Sequence, residues 1–483
     1  MPDLRPVLYI LGLLLIALAA TMLLPALIDI IDNNPDWRAF LASAGLTATA
    51  GGGMALAFRP SKPIELTHRA GFLLTTLSWL VIALFSAPPF MLAETNLDLA
   101  DAFFESMSGI TTTGSSVIAD IDNQSMAIKL WRSMLQMLGG IGIVVMAVAV
   151  LPLLRVGGMQ LFRAESSEKS EKIRPRVSQV SGIVVSIILV LTAVCALALI
   201  LAGMPVFDAV CHAMTTVATG GFSTKAASLG AYPSPLIHWI ITVFMFIGGM
   251  GFILLFQVAR GKFSALLLDT QLRWYAIYIG AFILAMTMWQ VVGNERDFWS
   301  ALTASAFNVV SIATTTGFAS EDFLLWGSLP VAGFMVLMFI GGCTGSTAGG
   351  IKVFRYCILG GVAHGLLHNL MHPHRVQQTT YNGRPVGDDV IRSVLGFFFF
   401  YMAAFAILTL VFSLFVGDLT LGLSAVGQAL GNVGPGLVPS IGPVGHFGGL
   451  PDGAKWVLSL AMLLGRLELL TILVLFLPTF WRG

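Results

Sequence analysis

Asp101–Gly114 reads DAFFESMSGITTTG, a helix-like stretch too short to cross a bilayer that runs into a glycine. Three further segments repeat it: Asp208–Gly221 (DAVCHAMTTVATGG), Ala304–Gly317 (ASAFNVVSIATTTG) and Leu421–Gly434 (LGLSAVGQALGNVG). Aligned on Gly114, Gly221, Gly317 and Gly434, they match without gaps over fourteen positions, and the glycines lie 107, 96 and 117 residues apart. Self-similarity on that scale is a statement about architecture. Each segment is flanked by long apolar runs, so each predicts a re-entrant loop. Four such loops on one chain can surround one axis, which is how a cation pathway is built.

Composition supplies the setting. Of 483 residues, 56% are hydrophobic and 11% charged, with mean hydropathy +0.86; a soluble domain carries about 25% charged residues. The chain therefore reads as an all-α polytopic membrane protein, in which backbone polar groups at membrane depth must be satisfied internally. A crossing helix needs about 20 mostly apolar residues. Ten segments qualify: roughly 7–31, 38–58, 69–93, 127–154, 178–203, 234–258, 271–293, 326–364, 389–417 and 454–479. The first is longer than the ~7–15-residue core of a cleaved signal and reads as a retained span. The order is two extra N-terminal helices (1–64), then four helix–pore-loop–helix repeats at 65–160, 161–262, 263–368 and 369–483.

Lys and Arg set the expected orientation. With both termini cytoplasmic, the inner loops hold 19 of the 26 basic residues and the outer loops six, which the positive-inside rule favours over the inverse. The same arrangement places sixteen acidic residues outside, a net outer charge of −10 that would raise the local cation concentration. Two cytoplasmic loops, Arg163–Arg176 and His368–Asp389, are polar and read either as connectors near headgroups or as a docking surface. His364, His368 and His372 recur every four residues without a carboxylate or cysteine to complete a metal set. The four cysteines, Cys195, Cys211, Cys343 and Cys357, contain no CxxC pair and suggest neither a disulfide framework nor a zinc site. Enzyme signatures such as HExxH and GxSxG are absent, as is a Walker A loop, so no cofactor is expected in this chain and no nucleic acid as partner.

A cation entering lipid must have its hydration shell replaced, and backbone carbonyls aimed at an axis can do this. Aiming them requires backbone angles that glycine adopts without steric cost. The Thr-rich residues before the glycines, Thr111–Thr113 and Thr314–Thr316, add hydroxyls and further carbonyls. Each half-helix directs its partly negative C-terminal end at the pathway, which favours cations.

The motifs TTTGSS (Thr111–Ser116), ATGGFST (Ala218–Thr224), TTTGFAS (Thr314–Ser320), GNVGPGL (Gly431–Leu437), GGCTGSTAGGIK (Gly341–Lys352) and GRLELLT (Gly465–Thr471) together resemble the Trk/Ktr/HKT superfamily of potassium transporters, most closely its bacterial TrkH/TrkG branch. The resemblance covers essentially the whole chain. It implies K+ as the transported ion and a selectivity filter formed by Thr112, Thr113 and Gly114, by Thr219, Gly220 and Gly221, by Thr315, Thr316 and Gly317, and by Asn432, Val433 and Gly434. Sodium-preferring relatives carry serine at the first filter glycine, so Gly114 favours K+; each loop keeps a single matched glycine, and a sodium or non-selective monovalent cation conduit is the alternative reading. The fourth loop departs most, with Asn432-Val433-Gly434-Pro435 in place of the Thr run. The resemblance further implies a homodimer in the bacterial inner membrane and a cytoplasmic TrkA-type nucleotide-binding regulatory subunit.

Two anomalies point to a gate. The apolar run after Leu325 is interrupted by Gly341–Gly350, five of whose ten residues are glycine. Each interior glycine costs a helix about 1 kcal/mol, so a straight helix is not expected. Gly341, Gly342, Thr344, Gly345, Ser346, Thr347, Gly349 and Gly350 are the gate candidates, although the same glycines would also allow close helix packing. Arg466 is expected about midway along the last span, where insertion costs about 2.5–3.5 kcal/mol, and reads either as a structural Arg capping loop carbonyls or as a fixed positive charge below the filter. Glu468, two residues on, lies on a different face and is a poor direct partner. The family places an Arg at this motif and a gating loop in the third repeat.

Overall fold

The computed structural model describes residues 4–61, 67–149, 177–372 and 378–482, with the backbone alone at 147–149 and 177–180. The loop Arg163–Arg176 lies outside the described residues, as does part of His368–Asp389. Two N-terminal helices, α1 (Arg5–Ile31) and α2 (Trp37–Ala57), pack against each other. The first repeat follows as α3 (His68–Ser86), the half-helix α4 (Leu99–Ile110) and α5 (Met126–Ala149). The second is α6 (Val177–Leu201), the half-helix α7 (Val206–Val217), α8 (Pro235–Gly248) and α9 (Phe252–Ala259). The third is α10 (Thr270–Gly293), the half-helix α11 (Phe298–Ala313), α12 (Ser328–Ile340) and α13 (Val353–Met371). The fourth is α14 (Asp388–Val416), the half-helix α15 (Leu419–Gly431), α16 (Asp452–Arg466) and the short α17 (Leu470–Leu473). Strand is confined, among the described residues, to Thr380–Tyr381 paired with Arg384–Pro385.

The half-helices are 12, 12, 16 and 13 residues long. At about 1.5 Å per residue, none reaches across a hydrocarbon core of about 30 Å. Three start at an aspartate whose carboxylate accepts from backbone N–H groups of the first turn: Asp98 from Asp101, Asp297 from Trp299 and Ser300, and Asp418 from Thr420 and Leu421. An acid there satisfies orphan donors and complements the helix dipole. The second half-helix instead begins after Pro205.

Packing closes the repeats into a ring. The second helix of each repeat lies against the half-helix of the next: α5 on α7, α8 on α11, α12 on α15, and α16 back on α4.

Among the described residues, seven helices are long and apolar enough to span continuously, matching seven of the ten expected segments. The other three are broken. The expected break in the third repeat is present, between α12 and α13. Segments 234–258 and 454–479, expected as single spans, instead bend by 104° between α8 and α9 and by 104° after Arg466. Glycines at 248, 249 and 251 leave the first of these bends with little side-chain constraint. At the second, Glu468 and Leu469 take φ of 60° and 37°, angles that end an α-helix. Arg466 therefore stands at the end of a helix, next to a bend, rather than midway along a straight span.

Candidate functional site

Each half-helix ends in the same backbone device. Thr112, Thr219, Thr315 and Asn432 have φ of 52°, 49°, 56° and 53°, and two residues later Gly114, Gly221, Gly317 and Gly434 have 91°, 78°, 86° and 106°. The intervening amides bond back to the half-helix: Thr113 N to Ser108 O (2.9 Å), Gly220 N to Thr215 O (2.8 Å), Thr316 N to Ser311 O (2.8 Å) and Val433 N to Gln428 O (2.9 Å). The fourth loop, the most divergent in sequence, thus has the backbone of the other three.

The four loops meet cyclically. A Cβ on Gly114 would overlap the Gly220 carbonyl oxygen, one on Gly221 that of Thr316, and one on Gly317 that of Val433. On Gly434 it would lie 2.8 Å from the Thr113 carbonyl oxygen. Each glycine abuts the carbonyl of the next loop, and the fourth closes on the first. All four glycines border one cavity, about 700 Å³ including its open mouth, lined also by Ser116, Phe222, Lys225 and His446.

The threonine hydroxyls divide by position. Thr113 and Thr316 turn back to Thr111 and Thr314, each hydroxyl pair 2.7 Å apart. Thr219 and Thr315 face the interrupted segment instead. The Thr219 hydroxyl donates to Thr347 Oγ1 (3.1 Å), and Gly349 N donates to Thr315 Oγ1 (2.6 Å). Asn432 Nδ2 donates to Thr113 Oγ1 (3.0 Å) and to the Met462 carbonyl (2.9 Å), tying the fourth loop to the first and to α16.

The candidate gate residues form a loop directly beneath this ring. Gly341, Gly345 and Gly350 have φ of 76°, 74° and 75°, so glycine is required by the turn, and close packing of a continuous helix does not describe the segment. The loop is anchored on several sides. Cys343 N bonds Gly249 O (2.8 Å), Thr344 N bonds Gln271 Oε1 (2.8 Å), and Phe252 N bonds Gly345 O (2.9 Å). Gly350 N bonds Gly431 O (3.0 Å), and the Ser346 hydroxyl bonds Cys343 O (2.6 Å). Gly342 sits where a Cβ would press on the Gly249 carbonyl, so the loop and the bend below α8 occupy each other's space.

Arg466 meets the loop from the fourth repeat: its Nη1 donates to the Thr347 carbonyl (2.7 Å), and it is 3% exposed. A small pocket between the loop and the last bend is lined by Ser346, Ala348, Lys352, Gly465, Arg466 and Glu468. Glu468 pairs with Arg355 of α13, not with Arg466. That ion pair joins the helix leaving the loop to the bend of the last span.

Sequence reasoning missed the supports behind the ring. The fifth column of the fourteen-residue alignment holds Glu105, His212, Asn308 and Ala425. Glu105 accepts from the Ser116 hydroxyl (3.0 Å), Val117 N (2.9 Å) and Arg132 Nε (2.7 Å). His212 Nε2 lies 3.0 Å from Ser223 Oγ, and Asn308 Nδ2 donates to Ser320 Oγ (2.9 Å). In the fourth repeat Ser424 does this work from the neighbouring column, accepting from Leu437 N (2.6 Å). The available signal was a residue able to accept or donate a strong hydrogen bond in the same column of three of the four half-helices.

The chain has relatives along its full length. A profile of TrkH, cation transport proteins, matches residues 38–482. The Trk system potassium uptake protein TrkI of Halomonas elongata is 44% identical over 99% of this chain and 97% of its own length. The TrkH protein of Escherichia coli K12 is 39% identical over 99% of both. The crystal structure of the potassium transporter TrkH from Vibrio parahaemolyticus superposes with a TM-score of 0.92 at 36% identity, covering both chains completely. The chain is a multi-pass membrane protein and belongs to the TrkH family of cation transport proteins, a transport family and not an enzyme family.

Proposed function

We propose that this chain carries K+ into the cell across the bacterial inner membrane through the ring made by its four loops. The observation that carries the reading is the closed cycle of the Thr113, Gly220, Thr316 and Val433 carbonyls, each against the glycine of the next loop. Such a ring is suited to replacing a hydration shell. Four half-helix C-termini converge behind it, and their partial negative charge favours a cation over an anion. Thr112 to Gly114, Thr219 to Gly221, Thr315 to Gly317 and Asn432 to Gly434 act as the selectivity filter. The potassium uptake relatives, matched end to end, support K+ as cargo.

The loop from Gly341 to Gly350 and Arg466 act as the gate. The hydrogen bonds of Thr347 and Gly349 to Thr219 and Thr315 support a loop held against the filter, where it would obstruct the path. Arg466 places a positive charge under the block, which repels an arriving cation until the loop moves. Four pore repeats at 65–160, 161–262, 263–368 and 369–483 follow the N-terminal pair at 1–64, with both termini cytoplasmic. The chain works as a homodimer under a cytoplasmic TrkA-type nucleotide-binding subunit.

Uptake of ⁸⁶Rb+ into proteoliposomes tests the reading. Purified protein is expected to take up Rb+ in competition with K+ and much less with Na+. Equal competition by K+ and Na+ would support a non-selective conduit, and uptake untouched by substitution at Gly221 would move the path elsewhere.

A further inference from the structure

The four corners of the ring are not chemically equal. Thr113, Thr316 and Val433 supply three of its carbonyls, and Gly220 supplies the fourth. Among the described residues, the first three carbonyls receive no hydrogen bond. The Gly220 carbonyl accepts one from Gln136 Nε2 at 2.6 Å. The same side chain accepts from Phe222 N through Oε1 at 3.0 Å, so one amide brackets Gly221 from both sides.

The exception has a sequence cause on both partners. Gly220 stands where the other loops carry Thr, Thr and Val, and a Cβ there would overlap the Gln136 side chain. Gln136 is fully buried on α5, three residues before Gly139. In the other repeats the residue three before the corresponding glycine (Gly248, Gly341 and Gly465) is Met245, Met338 and Met462, all fully buried. Contacts fix this register in three of the repeats: a Cβ on Gly139, Gly248 or Gly465 would meet the carbonyl of Ile110, Val217 or Leu430, each four residues before its ring glycine. A side chain is lost at one position and a polar one gained at its neighbour.

We infer that Gln136 is a specificity-determining residue, which draws the Gly220 carbonyl out of full ion coordination and leaves a ring of three strong oxygens and one weakened one. This rests on the reading of the ring as the ion filter. An amide donor competes with a cation for the same oxygen, and filter discrimination depends on the number and field strength of the carbonyls offered. Gln136 touches the ring from behind and sets how one carbonyl is presented.

Q136M gives the first repeat the residue of the other three and removes the donor. Folded Q136M, judged by monodispersity and melting, is expected to change the ⁸⁶Rb+/²²Na+ uptake ratio at least threefold, and an unchanged ratio would overturn the inference. A measurement on the unaltered protein stands beside it, in case the variant fails to fold: anomalous scattering from crystals grown in Rb+. The expected result is Rb+ at the ring with the Gly220 oxygen farther away than those of Thr113, Thr316 and Val433. Rb+ held by four equal oxygens would overturn the role of Gln136 alone. Rb+ absent from the ring would overturn the filter reading itself.

Discussion

At the level of the carbonyl ring the four repeats are near copies, whereas just below it they differ. Backbone angles, return hydrogen bonds and glycine contacts recur in all four loops, even where Asn432-Val433 replaces a pair of threonines. Beneath them α5 runs through its Gly139-Gly140 as a helix, α8 bends by 104° into α9, the third repeat unwinds over twelve residues, and α16 ends at Arg466. The contrast has a physical reason. An ion on an axis is coordinated by whatever surrounds it, so each loop presents a carbonyl from the same backbone, even at the Gly220 corner where Gln136 adds a hydrogen bond. On the proposed gating reading, one element must move while others hold still, and a symmetric collar of four loops would single out none of them.

The sharpest way to break the ring is to add one side chain. Gly221→Ala puts a Cβ into the Thr316 carbonyl at a φ of 78°. Left-handed backbone costs an L-residue about 1–2 kcal/mol before any overlap is counted. We expect ⁸⁶Rb+ uptake to fall at least tenfold in protein that still elutes as a single species; uptake within twofold of the parent would contradict the geometry. Below the ring, asymmetry predicts the opposite sign. Arg466→Ala removes the charge and the bond to Thr347 that hold the third repeat's loop, and uptake without any partner should rise severalfold. A fall in well-folded protein would mean that Arg466 supports the open path instead.

Stability offers finer tests of the same contrast. Glu105→Gln leaves Arg132 buried without its carboxylate at the corner between the first and second loops. Removing one partner of a buried pair costs about 3–5 kcal/mol, visible as a lower melting temperature in detergent. A melting temperature unchanged by Glu105→Gln would show that the pair does not brace the ring. The smallest expected effect comes from a glycine far from the axis. Gly280 lies within α10 with open space around its Cβ position, and Gly280→Ala should stabilise by about 0.5–1 kcal/mol. A loss there would mean that α10 packs against something in the assembly.

Much of this was legible in the sequence because ring and loop are made of glycines, and the reason for a glycine is local. Four in register predicted the loops, and five in ten predicted the interruption. The bends after α8 and α16 were not read. Both lie in apolar runs whose hydropathy is that of a span, and the clues were Gly248-Gly249 and the charged pair Arg466 and Glu468. Pairing escaped for a different reason. Glu468 meets Arg355, 113 residues earlier, and Gln136 meets Gly220, 84 residues later. Nothing in the local pattern around either residue names its partner, since these contacts exist only once the repeats have closed.

The claim on which the rest depends is that the ring of four loops conducts and selects K+. Reversal potential of the purified protein in planar bilayers, under opposed K+ and Na+ gradients with the pH equal on both sides, measures it directly. The account predicts a reversal potential that follows the K+ gradient; one that follows Na+ equally, or ignores K+, would contradict it.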